Sequence, residues 1–145
     1  QAMFYNQKVK IKNTTFKKVV DSFHDLDFVK FLITLQPVRI IKWAGILDGD
    51  RAHFMFWFFG WKDFKVVHKN YTKATKNFFC FTDYGQVLPL GLIYWKHDHT
   101  VVCEDNEVYI LDQVEYKHKN FLGLFLYPVL IAPIFVRKIL YKLYF

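Results

Sequence analysis

From residue 38 to residue 119 the side chains follow the two-residue alternation of β-strands, and this stretch constrains the fold more than any other feature. Turn-forming residues interrupt it and divide it into strands that follow one another directly. Because connections this short join antiparallel neighbours, we predict an antiparallel meander. The predicted strands cover residues 38–47, 51–59, 62–74, 78–83, 92–103 and 108–119.

The flanking segments add a strand and helices to this meander. Residues 3–12 alternate and predict a first strand, and two short helices are predicted between Phe16 and Pro37. Residues 121–145 form a long apolar segment with helical spacing in its later part, whose start Pro128 and Pro133 are expected to kink or delay. Its uncharged part, residues 121–136, is shorter than the ~20 residues that span a bilayer, so we expect a buried helix. The predicted fold class is α+β, with helices beside a seven-stranded antiparallel sheet.

The aromatic content is unusually high for a chain of this length. The 145 residues include 17 Phe, 9 Tyr and 4 Trp, and 53% of all residues are hydrophobic. This composition excludes a disordered chain and is sufficient for one domain over residues 1–145. Each aromatic side chain can bury ~150–250 Å², so a compact core of this size cannot hide all of them. Some are therefore expected to line a cavity or an interface.

Charge and cysteine usage give weaker indications about partners and compartment. The net charge is +7, but the basic residues are spread from Lys8 to Lys142 without a dense run, so no nucleic-acid partner is predicted. Cys80 and Cys103 are isolated in apolar stretches, which favours reduced thiols and a cytoplasmic location. The first residues lack the pattern of a secretory signal. No phosphate-binding glycine loop or HExxH sequence occurs, and we predict no cofactor.

The hairpin between the last two predicted strands carries the candidate polar residues. If Asp105 and Asn106 form its tip, residues equally far from the tip face each other across the two strands. This register places His99 opposite Asp112, with His97 on the same face. That face is predicted to be the concave one.

Two interpretations of the His99–Asp112 pair remain open. A histidine beside a carboxylate in an apolar pocket can act as a proton shuttle, which makes the pair a candidate for catalysis. A half-buried aspartate also needs a partner for structural reasons alone, and we favour this interpretation. His97 and His99 form an H-x-H pair of metal-ligand type, but no third ligand is assured and no metal site is predicted.

Three short segments resemble motifs of a known superfamily. Residues 95–99 (WKHDH), 111–116 (LDQVEY) and 135–140 (FVRKIL) are similar to the W-x-H-x-H, D-x-V-x-Y and FVRRQL-like motifs of bacterial SRPBCC proteins. These are small START-related proteins, often described as polyketide cyclase-like. The predicted element order is also that of their helix-grip fold, although Gly91-Leu92-Ile93 stands where a Gly-Pro-aromatic sequence is usual. The resemblance implies a cavity for lipid-like or polycyclic molecules between the sheet and the C-terminal helix.

The third predicted strand is apolar on both faces. One row of side chains, Phe54, Phe56 and Phe58, is expected to line the cavity. The other row contains Trp57 and Phe59 and is predicted to lie under loops, or else to contact a second subunit or a membrane surface. The chain is accordingly predicted to be a monomer or a homodimer.

Three functional hypotheses follow, and they differ in the role of the cavity. The first is binding of a hydrophobic small molecule without catalysis. The second is a cyclase- or dehydrase-type enzyme in which His99 and Asp112 perform acid–base chemistry, and the third is a peripheral membrane or partner-binding protein. Ligand entry is expected to require movement of residues 84–90 or of the segment around Pro128 and Pro133. The predicted ligand-binding residues are Phe54, Phe56, Trp95, His97, His99, Asp112, Tyr116, Leu126, Leu130 and Phe135.

Overall fold

Seven antiparallel strands form one curved sheet in a computed structural model that describes all residues from Gln1 to Phe145. The spatial order is β1-β7-β6-β5-β4-β3-β2, so consecutive strands are neighbours from β2 to β7 and β1 closes the far edge beside β7. The predicted antiparallel meander is thus confirmed. The strands are β1 (Ala2–Ile11), β2 (Val38–Trp43), β3 (Arg51–Trp57), β4 (Trp61–Thr72), β5 (Phe78–Val87), β6 (Leu92–Glu104) and β7 (Glu107–His118).

Five helices lie on the concave side of the sheet. The two predicted short helices between the first and second strands are α1 (Phe16–Phe23) and α2 (Leu26–Phe31). Their starts follow from capping, because the Thr15 hydroxyl accepts from the Lys18 amide and the Asp25 carboxylate accepts from the Asp27 amide. The C-terminal segment forms α3 (Leu122–Phe125), α4 (Tyr127–Phe135) and α5 (Arg137–Tyr144).

Pairing of the last hairpin follows the predicted register. Asp105 and Asn106 occupy its tip with φ of 51° and 64°, which two-residue hairpin turns require. His99 stands opposite Asp112, and Trp95 stands opposite Tyr116. The concave face of β6 and β7 therefore carries the side chains that the sequence predicts for it.

Several predicted strand ends are wrong. Strand β2 ends at Trp43 rather than at residue 47, because Gly45 and Gly49 adopt φ of 122° and 87° in the turn that follows. Strand β5 continues to Val87 rather than stopping at residue 83, since Tyr84 pairs with both β4 and β6. The predicted loop over residues 84–90 is therefore mostly strand, and it does not line the cavity.

The C-terminal helical segment is less buried than the sequence suggests. From Leu122 to Tyr144 it is long and apolar enough, by length and composition alone, to cross a membrane, and the same is true of core helices in soluble proteins. Its inner face packs on the sheet through Leu130, Ile134 and Tyr141. Its outer face exposes large apolar side chains, among them Leu124, Phe125, Phe135, Ile139 and Leu143.

Candidate functional site

A cavity of about 440 Å³ opens between the concave face of the sheet, the end of α2 and the helix α4. This volume falls in the range of small-molecule sites. Of its 21 lining residues 15 are hydrophobic and two more are prolines, and the polar ones are Gln36, Asp83, His97 and Arg137. The site is therefore an apolar chamber with few polar groups.

Half of the predicted ligand-binding residues line this cavity. These are Phe54 and Phe56 from β3, Trp95 and His97 from β6, and Leu130 from α4. They come together because alternate residues of a curved strand share the concave face and the helix crosses above it. The apolar row that includes Phe58 is thus in contact with the cavity, as expected.

The other predicted ligand-binding residues do not line the cavity. Tyr116 is fully buried, and its hydroxyl donates to the Gly123 carbonyl over 2.6 Å. Leu126 packs against the apolar cluster around Trp95, and Phe135 is 52% exposed. Phe135 follows Ile134, whose side chain faces the sheet, and neighbouring residues of a helix point about 100° apart. His99 and Asp112 lie behind His97.

A belt of hydrogen-bonded polar side chains crosses the concave face and separates two apolar clusters. It runs from Gln7 on β1 through Asp112 on β7 and the two histidines of β6 to Asp83 on β5. The Gln7 amide donates to Asp112 Oδ2 over 3.2 Å, and His99 Nε2 lies 3.0 Å from Asp83 Oδ2. We call these residues, together with His68 of β4, the polar belt. His68 Nε2 lies 3.0 Å from Asp83 Oδ1 without hydrogen-bond geometry, so this contact is mainly electrostatic.

The carboxylate of Asp112 is the centre of the belt, and its closest histidine is not the predicted one. His97 Nε2 lies 2.8 Å from Asp112 Oδ1, whereas His99 Nδ1 lies 3.6 Å from the same oxygen. Direct opposition on the strands brings backbones together, but the His99 ring lies between two carboxylates and makes its hydrogen bond through Nε2 to Asp83. His99 is therefore next to Asp112, as the register predicts, but the hydrogen-bonded pair is His97–Asp112.

Two groups from helix α5 complete the surroundings of Asp112. The Tyr141 hydroxyl donates to Asp112 Oδ2 over 2.8 Å, and Arg137 Nη1 lies 3.7 Å from Asp112 Oδ1. Burial alone would raise the pKa of Asp112, but the hydrogen bond from His97 and the charge of Arg137 outweigh it and hold that pKa well below its usual range. Asp112 is thus an ionised carboxylate, fully buried among donors.

The two histidines of the belt differ in protonation and access. Burial, assisted by the neighbouring His99, lowers the pKa of His97 to about 4, so its imidazole is neutral at pH 7. An ionised carboxylate only accepts hydrogen bonds, so His97 carries its proton on Nε2 and leaves a lone pair on Nδ1. The rings of His97 and His99 stack with centroids 3.8 Å apart, and Phe81 stacks on the other face of His99 at 4.4 Å.

Asp83, His97 and His99 form a group in which one ligand atom from each residue lies within 4.8 Å of the others. Asp83 thus provides the third residue that the sequence leaves open. An ion here would have to displace the hydrogen bond between His99 and Asp83, and it would lie near the Arg137 guanidinium, whose charge also acts on His97. Both features oppose cation binding. The belt is held together by hydrogen bonds within the protein.

The sequence-based predictions include neither three members of the belt, Gln7, Asp83 and His68, nor the role of Arg137. Asp83 lies on the same face of β5 as the buried Phe79 and Phe81, because every second residue of a strand points to the same side. Its place on the concave face could therefore have been predicted. His68 likewise lies two residues after the buried Val66, on the same face of β4. Arg137 belongs to one of the quoted motifs, but no sequence pattern indicates that its side chain turns inward.

The second apolar row of β3 is not covered by loops. Trp57 is 49% exposed and Phe59 is 80% exposed, and Trp57 also borders the cavity. The prediction that loops cover this row is therefore wrong for these two residues. Contact with a membrane or a second subunit stays a prediction.

Comparison with known proteins defines the fold. No protein-family model matches the chain, and no curated protein sequence is similar to it. Norcoclaurine synthase from Thalictrum flavum has a TM-score of 0.67 at 14% identity, over 98% of this chain and 92% of that one. Ara h 8.0201 has a TM-score of 0.57 at 13% identity, over 99% and 97%.

A dimeric protein has a similar structure as well. The Aha1 dimer from Colwellia psychrerythraea has a TM-score of 0.55 at 15% identity, over 97% of this chain and 96% of that one. At such low identity these similarities establish the fold and leave ligand and activity open. Together with the sheet order and the C-terminal helix, they show that this chain adopts the helix-grip fold of Bet v 1-like and SRPBCC proteins.

Proposed function

We propose that this protein binds a hydrophobic small molecule in the cavity between the sheet and α4. The observation that carries this proposal is a chamber of about 440 Å³ whose walls are mostly apolar and whose inner end is polar. Transfer of apolar ligand surface from water into such a chamber is favourable by ~25 cal/mol per Å². The few polar groups would then orient the ligand.

Two neighbouring structures support a ligand-binding role for this architecture. Norcoclaurine synthase from Thalictrum flavum, with a TM-score of 0.65, has been solved with dopamine and hydroxybenzaldehyde, which are small aromatic molecules. The mutant form of that enzyme holds a transition-state analogue. The cavity of the present chain has aromatic side chains from β3, β4 and β6, so planar or extended apolar ligands suit it.

Binding of the neutral fluorescent probe 1-aminoanthracene tests this proposal. Val66 lines the cavity and is 2% exposed, whereas Val67 follows it on the opposite face of β4. Val66→Phe would fill part of the cavity, so we expect the probe affinity to fall at least about tenfold, while the matched control Val67→Phe leaves it unchanged. Failure of the wild-type protein to bind the probe or any other apolar ligand would overturn the proposal.

A second candidate function is acid–base catalysis on the bound molecule. It is favoured by one observation, the neutral His97 ring held by Asp112 at the cavity wall. The test is exchange of the acidic C–H protons of 2-tetralone in heavy water, followed by mass spectrometry. Catalysed exchange that is lost in His97→Gln and kept in Val67→Phe would support an enzyme. Exchange no faster than in buffer would leave binding as the function.

A further inference from the structure

We propose that the polar end of the cavity takes the carboxylic acid group of an otherwise apolar ligand, with His97 and Arg137 as its two hydrogen-bond partners. This inference rests on the proposed binding function and names the chemical class of the ligand. It starts from two side-chain atoms at the cavity, His97 Nδ1 and Arg137 Nη2, which make no hydrogen bond within the protein. All other polar contacts of these residues go to the belt or to helix α5.

His97 provides an acceptor at this end. Its Nε2 is occupied by Asp112 at 2.8 Å, and the neutral ring leaves an unshared electron pair on Nδ1. His97 is only 2% exposed and lines the cavity. Its Nδ1 is not completely buried, in contrast to the sealed and unpaired Nδ1 of His99. The open side of the His97 ring therefore faces the cavity.

Arg137 provides donors at the same end. Its Nη1 lies 3.4 Å from the Tyr141 hydroxyl and 3.7 Å from Asp112, both long contacts for a guanidinium. Nε is buried without a partner, and Nη2 has no protein acceptor. A guanidinium has five N–H donors and stays charged, so a cavity-lining arginine with this few acceptors is under-satisfied. His97 and Arg137 approach the same Asp112 oxygen and are thus neighbours.

A carboxylic acid matches this pair better than an ester or a phosphate does. Its O–H donates to His97 Nδ1, and its carbonyl oxygen accepts from Arg137. An ester has no proton for His97, and a phosphate would bring a double negative charge close to the ionised Asp83. If the acid proton moves to His97, the resulting carboxylate lies between an imidazolium and a guanidinium. The total charge in the cavity is the same in both forms.

The test compares cis-parinaric acid with its methyl ester, both intrinsically fluorescent, on the wild-type protein and two variants. We expect the wild type to bind the acid at least about tenfold more tightly than the ester. In Arg137→Gln this preference should shrink to about twofold or less, because the carboxylate form loses its charged guanidinium partner, whereas the ester loses only a contact to its neutral carbonyl oxygen and should weaken less. The matched control is Lys138→Gln, which removes the neighbouring positive charge from a side chain that rests on the Phe135 ring.

The outcomes separate this inference from the proposed function. Equal affinity of the wild type for acid and ester overturns the headgroup assignment, and binding of 1-aminoanthracene would then still support an apolar ligand site. An acid preference that Arg137→Gln keeps in full also overturns it. Lack of binding of all three probes overturns both proposals. If Arg137→Gln does not fold, the acid–ester comparison on the wild type decides the question alone.

Discussion

The two ends of the concave face of the sheet are built from similar aromatic side chains but differ in packing. At one end, Phe28, Phe79 and Tyr141 are fully buried, and the Phe23 and Phe28 rings meet edge to face at 5.0 Å. We call this the packed end. At the other end, Phe54 and the rest of its row face a cavity of about 440 Å³. We call this the cavity end.

The helices above the sheet account for the difference. Helices α1 and α2 and the large residues of α5 cover the packed end, where Tyr141 and Tyr144 contact Phe28. Above the cavity end, α4 contributes the smaller side chains of Val129, Ala132 and Pro133. A short side chain on the helix leaves space that the sheet aromatics cannot fill. The size of helix residues therefore decides which end is core and which is site.

The largest effect is expected from truncation at the packed end. Phe28→Ala removes a fully buried ring that contacts Phe23, Tyr141 and Tyr144. Because the surroundings are close-packed, we expect the free energy of unfolding to fall by about 3–5 kcal/mol. Urea unfolding at pH 7 measures this change. A loss below about 1 kcal/mol would contradict the assignment of this end as core.

The polar belt lies between the two ends, and His97 in this belt makes the free energy of unfolding depend on pH. The unfolded His97 has the ordinary value of 6.5, whereas burial lowers the folded pKa to about 4. The unfolded state therefore binds the proton first, and the free energy of unfolding should fall by about 3 kcal/mol as pH drops from 6.5 to 4. His68 has a raised folded pKa, so only its unfolded state titrates near the top of this window, and it opposes the fall in stability slightly close to pH 6.5.

Unfolding curves at four pH values between 6.5 and 4.5 test this prediction. We expect the slope to be reduced in His97→Gln, because glutamine does not titrate. A wild-type stability that stays constant down to pH 4.5 would show that burial does not lower the pKa of His97 in the folded protein.

A smaller effect is expected at the junction between α5 and the belt. Tyr141→Phe keeps the buried ring and removes the hydroxyl that donates to Asp112 over 2.8 Å. Hydrogen bonds to charged groups contribute about 1.5–3 kcal/mol, so we expect a loss in the lower part of that range, because His97 and Gln7 still bind Asp112. Thermal unfolding of Tyr141→Phe, run in parallel with Phe28→Ala, measures this loss of stability. A loss as large as that of Phe28→Ala would mean that the belt, rather than the aromatic packing, holds α5.

The sequence predicts the sheet better than it predicts the belt, for physical reasons. Alternation and the Asp105–Asn106 turn determine strand register, because a shift by one residue would expose the whole buried face. Side-chain partners depend on rotamers, so the ring of His99 could turn to Asp83 although its backbone faces Asp112. The rotation of a helix about its axis also depends on packing, so the sequence predicts Phe135 inside although the residue is largely exposed.

The smallest effect is expected from truncation at the cavity end. Phe54→Ala removes a half-buried ring from β3 that already borders open space. The new void merges with the existing cavity, so little close packing is lost and we expect a decrease of about 1 kcal/mol or less. Urea unfolding in parallel with Phe28→Ala gives the comparison directly. A loss of 3 kcal/mol or more would mean that, in solution, Phe54 and the other rings of its row pack together and fill the cavity. The two ends of the sheet would then not differ in packing, and the case for a ligand chamber beneath α4 would be lost.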